Sequence, residues 1–138
     1  MRIFHWTRAK SVFMPELDDE HRKLYELAAG IQEQVTAGTP PEIVSATLKS
    51  LVAAAEDHFQ HEERMMRRAQ YRLFAWHKSQ HETFRKRSGS CLARYEAGQP
   101  EAAAELLDFL PGWMNDHLHV ADRMMSAALR AYARLHAA

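Results

Sequence analysis

Residues 48–65 of this chain read LKSLVAAAEDHFQHEERM, a helical pattern whose core positions change from aliphatic to polar partway along. Steps of three and four residues from Leu48 give aliphatic positions as far as Ala55 and polar ones after it. The two polar positions are His58 and Glu62. A buried polar group without a partner costs roughly 1 to 3 kcal/mol by protein mutational estimates. We therefore expect this helix to contribute both side chains to a ligand site inside the core.

Three other segments show the same interruption of an apolar helical face. The first carries His21, the third carries His77 and His81, and the fourth carries His117 with Asp122 five residues later. The remaining predicted core positions are Leu17, Leu24, Ala28, Ile31 and Val35 in the first segment, Val44 and Met65 in the second, Phe74, Phe84, Ser88, Cys91 and Tyr95 in the third, and Leu107, Leu110, Met114, Ala121, Met124, Ala128, Ala131 and Leu135 in the fourth.

Capping residues and helix breakers mark the ends of the predicted helices. Asp18 is the predicted N-cap of the first helix, which continues to about residue 36. Thr39-Pro40-Pro41-Glu42 predicts a capping-box start for the second helix, with the threonine as cap and Pro40 at the first helical position. The third helix is expected over residues 71–96, and the fourth after Pro100. Pro111-Gly112 predicts a kink or break within the fourth helix, because proline deletes a backbone hydrogen bond.

Four amphipathic helices with short connections favour an all-α, antiparallel up-down-up-down four-helix bundle. We expect a single domain over residues 1–138, with an N-terminal arm over 1–17 and the bundle over 18–138. Alternating chain direction brings the polar core positions of all four helices to one end of the bundle. Asp122 lies about 140° further round a regular helix than His117. The sequence therefore predicts that Asp122 does not chelate together with His117 and instead reaches across to bridge a second ion.

Composition excludes several classes of function. Lys plus Arg balance Asp plus Glu at 18 each, so no overall field attracts nucleic acid or an anionic membrane. No secretory signal or membrane-spanning run is visible, and the single Cys91 cannot form an internal disulfide. These features predict a cytoplasmic protein without nucleic-acid partners or membrane insertion.

The predicted ligand set narrows the choice of metal. Imidazole and carboxylate ligands suit iron, zinc, copper or nickel, whereas calcium and magnesium prefer oxygen alone. Seven protein ligands are too many for one ion. They suit two six-coordinate ions that share two carboxylate bridges, with some positions left to small non-protein ligands.

Four ordered motifs contain these polar positions. They are Asp18-Asp19-Glu20-His21-Arg22-Lys23-Leu24, His58-Phe59-Gln60-His61-Glu62-Glu63-Arg64-Met65, His77-Lys78-Ser79-Gln80-His81, and Trp113-Met114-Asn115-Asp116-His117-Leu118-His119-Val120-Ala121-Asp122. This ordered set resembles the hemerythrin family, and most of all its stand-alone bacterial members, the bacteriohemerythrins. The likeness covers nearly the whole chain, and all seven ligand positions of the family are filled.

The resemblance implies a pair of non-heme iron ions, cycling between Fe2+ and Fe3+, with an oxo or hydroxo bridge. One ion belongs to a three-histidine group and the other, with a vacant position for dioxygen, to a two-histidine group. A small apolar pocket is implied beside the vacancy, although its residues also fit an ordinary core. The three-histidine group is His77, His81 and His117, the two-histidine group is His21 and His58, the bridging carboxylates are Glu62 and Asp122, and the pocket positions are Leu24, Phe59, Trp113, Met114 and Leu118.

The favoured function is therefore reversible dioxygen binding for storage, delivery or sensing by a monomeric protein that is not an enzyme. The alternatives are a di-iron redox enzyme that reduces peroxide or nitric oxide or acts as a ferroxidase, and a reservoir of zinc or iron.

Some residues depart from the family pattern or fall outside the motifs. Glu20 stands where the family usually has glutamine. Met114 occupies a position that is often aliphatic. His61 fits either an exposed position or a contact with a metal ligand. The residues expected on the surface are His5, His119 and His136 and the solvated cluster of Arg85, Lys86 and Arg87.

Overall fold

A computed structural model describes residues 3–137. Met1, Arg2 and Ala138 of the predicted single domain lie outside the described residues. Within 3–137 the protein is all-α without strands, and four helical rods form the expected antiparallel bundle. Each rod packs against the next along the chain, and the first also contacts the fourth. The helices are α1 (Pro15–Thr36), α2 (Pro41–Arg68), α3 (Phe74–Glu96), α4 (Glu101–Asp116) and α5 (Arg123–Leu135), with a π-helical segment (His117–Asp122) between α4 and α5.

The first helix begins three residues before the predicted N-cap. α1 starts at Pro15, whose fixed φ suits the first helical position. Asp18 lies inside the first turn, so its predicted role as N-cap is wrong. Its carboxylate instead accepts hydrogen bonds from the Val12 N–H at 2.9 Å and the Ser11 hydroxyl at 2.6 Å. Asp18 thus fastens the N-terminal arm to the bundle.

Two further helix starts differ from the prediction. α2 begins at Pro41 after Pro40, and no side chain caps it, so the predicted Thr39 cap is wrong. α3 begins at Phe74 rather than at Tyr71, because residues 69–73 form a tight turn in which Gln70 has a φ of 53°. Helix ends agree better, since α1 and α3 end at the expected residues.

The fourth rod continues through Pro111 and contains a π-helical segment six residues further on. The helix therefore does not end at Pro111-Gly112, so the predicted break is absent there. A π turn accommodates one more residue than an α turn, since its backbone hydrogen bonds run from i to i+5. This extra residue changes which face of α5 points inward.

Most predicted core positions before that segment are buried, although some, such as Met65 and Leu107, are only half-buried, and the agreement is poorer after it. In α5 the buried residues are Met125, Ser126 and Leu129. Met125 and Leu129 each lie one position after a predicted core residue, Met124 and Ala128 respectively. Met124 and Leu135 are exposed, so their predicted core positions are wrong; the same holds for Val35 near the end of α1. Cys91 is buried and free, as expected. None of the helices within residues 3–137 has the length and apolarity that crossing a bilayer requires.

Two glycines of α3 and its C-terminal turn provide a test of the helix boundaries. Gly89 lies inside α3 with open space where a Cβ would stand, whereas Gly98 follows the helix with a φ of 93°. We expect Gly89→Ala to raise the free energy of unfolding by about 0.5–1 kcal/mol, since it removes backbone freedom from the unfolded chain. We expect Gly98→Ala to lower it by about 1 kcal/mol or more, because alanine is strained there. Urea unfolding of the two variants measures both changes, and changes of equal sign would contradict this assignment.

Candidate metal centre

The bundle brings all seven predicted ligand residues into one buried cluster. They come from the first turns of α1 and α3, the last turns of α2, and the π segment, which all lie at one end of the bundle. Their donor atoms form two overlapping groups in which all ligand atoms lie within 4.8 Å of one another. The first group is Glu62, His77, His81, His117 and Asp122, and the second is His21, His58, Glu62 and Asp122.

Glu62 faces both groups, one oxygen to each. Its Oε1 lies 3.1 Å from His77 Nε2 and 3.0 Å from His81 Nε2. Its Oε2 lies 3.0 Å from His58 Nε2 and 3.6 Å from His21 Nε2. A carboxylate placed in this way can offer one oxygen to each of two metal ions.

Asp122 divides its oxygens between the same two groups. Oδ1 lies 3.1 Å from the Nε2 atoms of both His77 and His117. Oδ2 lies 3.1 Å from His21 Nε2. The two carboxylates therefore approach the boundary between the histidine groups from α2 and from the fourth rod.

The π segment brings His117 and Asp122 onto one face of the fourth rod. In a regular helix the five-residue spacing would separate them by about 140°, but the i to i+5 geometry aligns them. The prediction that Asp122 cannot serve the same ion as His117 is therefore wrong, because it assumed a regular helix. The expected approach of Asp122 to the other histidine group is also present, through Oδ2.

Several polar atoms of the cluster have no hydrogen-bond partner. His21 Nε2, His117 Nε2, Glu62 Oε2 and Asp122 Oδ1 are buried without a well-oriented hydrogen bond. Buried polar groups are almost always satisfied, and each of these atoms points into the cluster. Five imidazole nitrogens with two carboxylates are a donor set for iron, zinc, copper or nickel. The residues therefore fit a pair of such ions.

The charges in the cluster keep its two carboxyl groups ionised, which is the form that binds metal ions. Burial alone would raise the pKa of Glu62, but nearby histidines hold it well below its ordinary value. Burial would likewise lower the pKa of His58 and His77, but the surrounding carboxylates raise them to about 10 and about 9. Metal ions must displace these protons, so uptake releases protons.

Outer hydrogen bonds orient three of the five clustered histidines. Four residues take part in these contacts, and only His61 among them was assigned such a role from the sequence. His81 Nδ1 donates to Glu63 at 2.8 Å, and His117 Nδ1 donates to Gln80 at 2.7 Å. His58 Nδ1 donates to Glu20, whose other oxygen accepts from His61 at 2.8 Å. His61 itself is half-buried and meets this network only through Glu20, so it combines partial exposure with an indirect contact to His58. Such partners fix ring orientation and raise ligand basicity; spacing along the helices carries no signal for them, because each contact joins two helices.

Arg85 belongs to this network, so its predicted place on a solvated face is wrong. Its guanidinium donates to Glu63 at 2.9 Å, to Glu56 at 2.7 Å and to Glu82 at 2.9 Å. The contacts tie α2 to α3 beside His81. Lys86 and Arg87 are exposed as expected.

A cavity of about 20 Å³ lies against the two-histidine group. A cavity needs about 10–15 Å³ to hold one water molecule, so this cavity suits a molecule of one or two heavy atoms. Tyr25, four residues after His21, also lines it, and its hydroxyl donates to Asn115 at 2.8 Å. That spacing could have revealed Tyr25. All five pocket positions implied by the resemblance line the cavity: Leu24, Phe59, Trp113, Met114 and Leu118.

The exposed histidines contribute nothing to the cluster. His5, His119 and His136 lie on the surface, as expected, and the described residues contain metal-ligand groups only at the seven positions above.

Comparison with known proteins gives a consistent set of relatives. The Hemerythrin HHE cation binding domain matches residues 13–129. A Bacteriohemerythrin of Methylococcus capsulatus is 24% identical over 132 residues, covering 95% of this chain and 100% of the relative. A Bacteriohemerythrin of Stenotrophomonas maltophilia is 27% identical over 99% of this chain and 90% of the relative, and Myohemerythrin-1 of Phascolopsis gouldii is 26% identical over 85% and 87%.

A crystal structure of wild-type hemerythrin superposes with a TM-score of 0.83 at 22% identity, covering 90% of this chain and 95% of that chain. This likeness supports the four-helix bundle.

Proposed function

Since this chain belongs to the hemerythrin HHE cation-binding domain family, we propose that it is an oxygen-binding protein that holds two non-heme iron ions and binds dioxygen reversibly. The observation that carries the proposal is the division of Glu62 and Asp122 between two histidine groups, one of which borders a small apolar cavity. We assign the seven clustered residues as the iron ligands.

The protein side chains set the separation and the charge of the two metal positions. A ferrous pair, when bound, supplies the electrons that hold dioxygen. Five imidazoles and two carboxylates carry less negative charge than the four-carboxylate sites of other helical bundles. Lower negative charge disfavours the high-valent iron needed to split dioxygen, which supports binding without further oxidation chemistry. We therefore favour a role other than catalysis.

The cavity walls limit access of water and protons. Leu24, Phe59 and Leu118 are buried and present only hydrocarbon or aromatic surface. The ring of Trp113 stacks on His117 with centroids 4.5 Å apart and closes one side. The Tyr25 hydroxyl is committed to Asn115. A dry wall of this kind protects a bound oxygen molecule from protonation and loss.

The test is an optical spectrum of the metal-quantified protein, reduced without air, then exposed to oxygen and finally deoxygenated. We expect two irons per chain and an oxygen-dependent visible band that disappears when oxygen is removed. Immediate formation of a stable diferric spectrum would contradict reversible binding and favour redox catalysis. Purification with zinc at full occupancy would favour the metal reservoir.

A matched pair of variants checks the place of binding. Leu118→Phe narrows the cavity, whereas Leu110→Phe makes the same change in the core of α4 away from it. We expect the first variant to weaken oxygen binding with two irons retained, and the second to leave oxygen affinity unchanged. A cytoplasmic location and a monomeric state stay predictions from the sequence.

A further inference from the structure

Glu20 holds two histidines of α2, only one of which belongs to the metal cluster. Its Oε1 accepts a hydrogen bond from His58 Nδ1 at 2.5 Å, and its Oε2 accepts one from His61 Nδ1 at 2.8 Å. The His58 side chain is 2% exposed and presents Nε2 to Glu62, whereas the His61 side chain is 30% exposed. One carboxylate thus links a proposed iron ligand to a histidine at the surface.

The other two proposed ligands with outer hydrogen bonds donate to partners that carry less net negative charge than Glu20. His117 donates to the neutral amide of Gln80. His81 donates to Glu63, but Arg85 pairs with that carboxylate at 2.9 Å. Among residues 3–137, Glu20 forms ion pairs only with His58 and His61, and Lys23 and Arg64 line the same surface cavity without pairing with it. The outer hydrogen-bond partner of the two-histidine group therefore carries more net negative charge than the partners of the three-histidine group.

This asymmetry affects the two metal positions unequally. A carboxylate that accepts from a ligating imidazole raises the basicity of that ligand. A more basic ligand stabilises the higher oxidation state of the ion it binds. Glu20 is thus placed to favour the oxidised state of an ion held on the side that borders the cavity.

His61 supplies the second anchor that this arrangement needs. The Glu20 side chain is 33% exposed, and a long side chain gains rotamer entropy when it is free. With only His58 as partner, the carboxylate could turn towards water. His61 lies three residues after His58, so both rings face the same carboxylate from one side of α2.

We propose that His61 is a positioning residue for the two-histidine metal position, acting through Glu20 on His58. The inference rests on the proposed metal pair, but it does not require dioxygen binding. It predicts that removing the His61 donor changes the metal affinity and the reduction potential of one ion of the pair.

The test compares His61→Leu, which removes the donor, with His61→Gln, whose amide can still donate to Glu20. Glu20→Gln removes the charge, and His136→Leu is a control at an exposed histidine at the far end of α5. Zinc titration of the metal-free protein measures both metal affinities, and redox titration of the iron form measures the midpoint potentials. Urea unfolding of the metal-free variants measures stability separately.

We expect Glu20→Gln to weaken one of the two zinc equivalents by about 10- to 100-fold, with a smaller loss in His61→Leu. The midpoint potential of one iron should rise in both, by about 59 mV for each tenfold change in the one-electron equilibrium. His61→Gln should lie closer to the wild type than His61→Leu, and His136→Leu should match the wild type.

Equal weakening of both zinc equivalents, or unchanged potentials in His61→Leu, would overturn the inference. Loss of zinc affinity that follows lower stability of the metal-free protein would overturn it as well. If the zinc asymmetry holds but no reversible oxygen spectrum forms, the proposed function fails while this inference stands.

Discussion

Glu62→Ala is expected to abolish binding of both iron ions. Each Glu62 oxygen faces a different histidine group, at 3.0 Å from His81 and 3.0 Å from His58. The variant therefore removes one proposed ligand from each of the two proposed metal positions, together with the link between them. We expect affinity to fall by more than about 100-fold, beyond the upper end of effects produced by outer contacts. Iron analysis after anaerobic loading measures the loss, with circular dichroism to verify that the metal-free variant is helical.

Glu63→Ala is the matched control for this prediction. Glu63 is the next residue of α2, is also buried, and touches His81 only through Nδ1, the nitrogen that faces away from the cluster. We expect it to weaken the three-histidine position by about 10- to 100-fold and to leave the two-histidine position near its original affinity. Retention of two irons at full affinity in Glu62→Ala would show that Glu62 does not bridge the metal pair.

The comparison of His58 with Glu20 shows what the sequence could and could not predict. His58 and Glu62 interrupt an aliphatic face at helical spacing, and that local pattern was enough to predict a polar site in the core. Glu20 meets His58 only across the contact between α1 and α2. Contacts between helices depend on their relative rotation and height, which the spacing within one helix does not specify. The same reason applies to Glu63 and Arg85.

Helix starts were less predictable than helix faces, and Asp18 illustrates why. An aspartate before an apolar repeat is a good N-cap, but Pro15 also suits a first helical position. The arm decides between them, since its Val12 N–H and Ser11 hydroxyl occupy the Asp18 carboxylate. A choice of this kind between two local signals depends on tertiary contacts.

The fourth rod shows how one local irregularity changes a long stretch of predicted core. Steps of three and four residues from Met114 predict Met124 as buried, but the structure buries Met125. The shift of one residue arises in the π segment and continues to Leu129. The local mark of the extra residue is the five-residue spacing of His117 and Asp122, which places both on one face in a π turn but not in a regular helix.

Deletion of one residue from the π segment is expected to be far less damaging than deletion of one residue from α4. Val120 is exposed, and its removal would leave His117 and Asp122 four residues apart, on one face of a regular helix. The core residues on both sides would keep their register, so two metal ions should still bind. Deletion of the exposed Asp108 instead rotates the start of α4 and withdraws Leu106 from the core. That costs about 2–5 kcal/mol, the range for a buried leucine.

The π segment cannot compensate for the Asp108 deletion, because the residues between the deletion and the segment are already in register. Leu110, Met114 and His117 are all buried on one face of the rod. Metal analysis and urea unfolding of the two deletion variants distinguish them. We expect the Val120 deletion to keep two metal ions and nearly all of its stability, and the Asp108 deletion to lose several kcal/mol. Similar damage in both would mean that the π turn is required for the site itself, rather than being the way in which a regular rod accommodates one additional residue between His117 and Asp122.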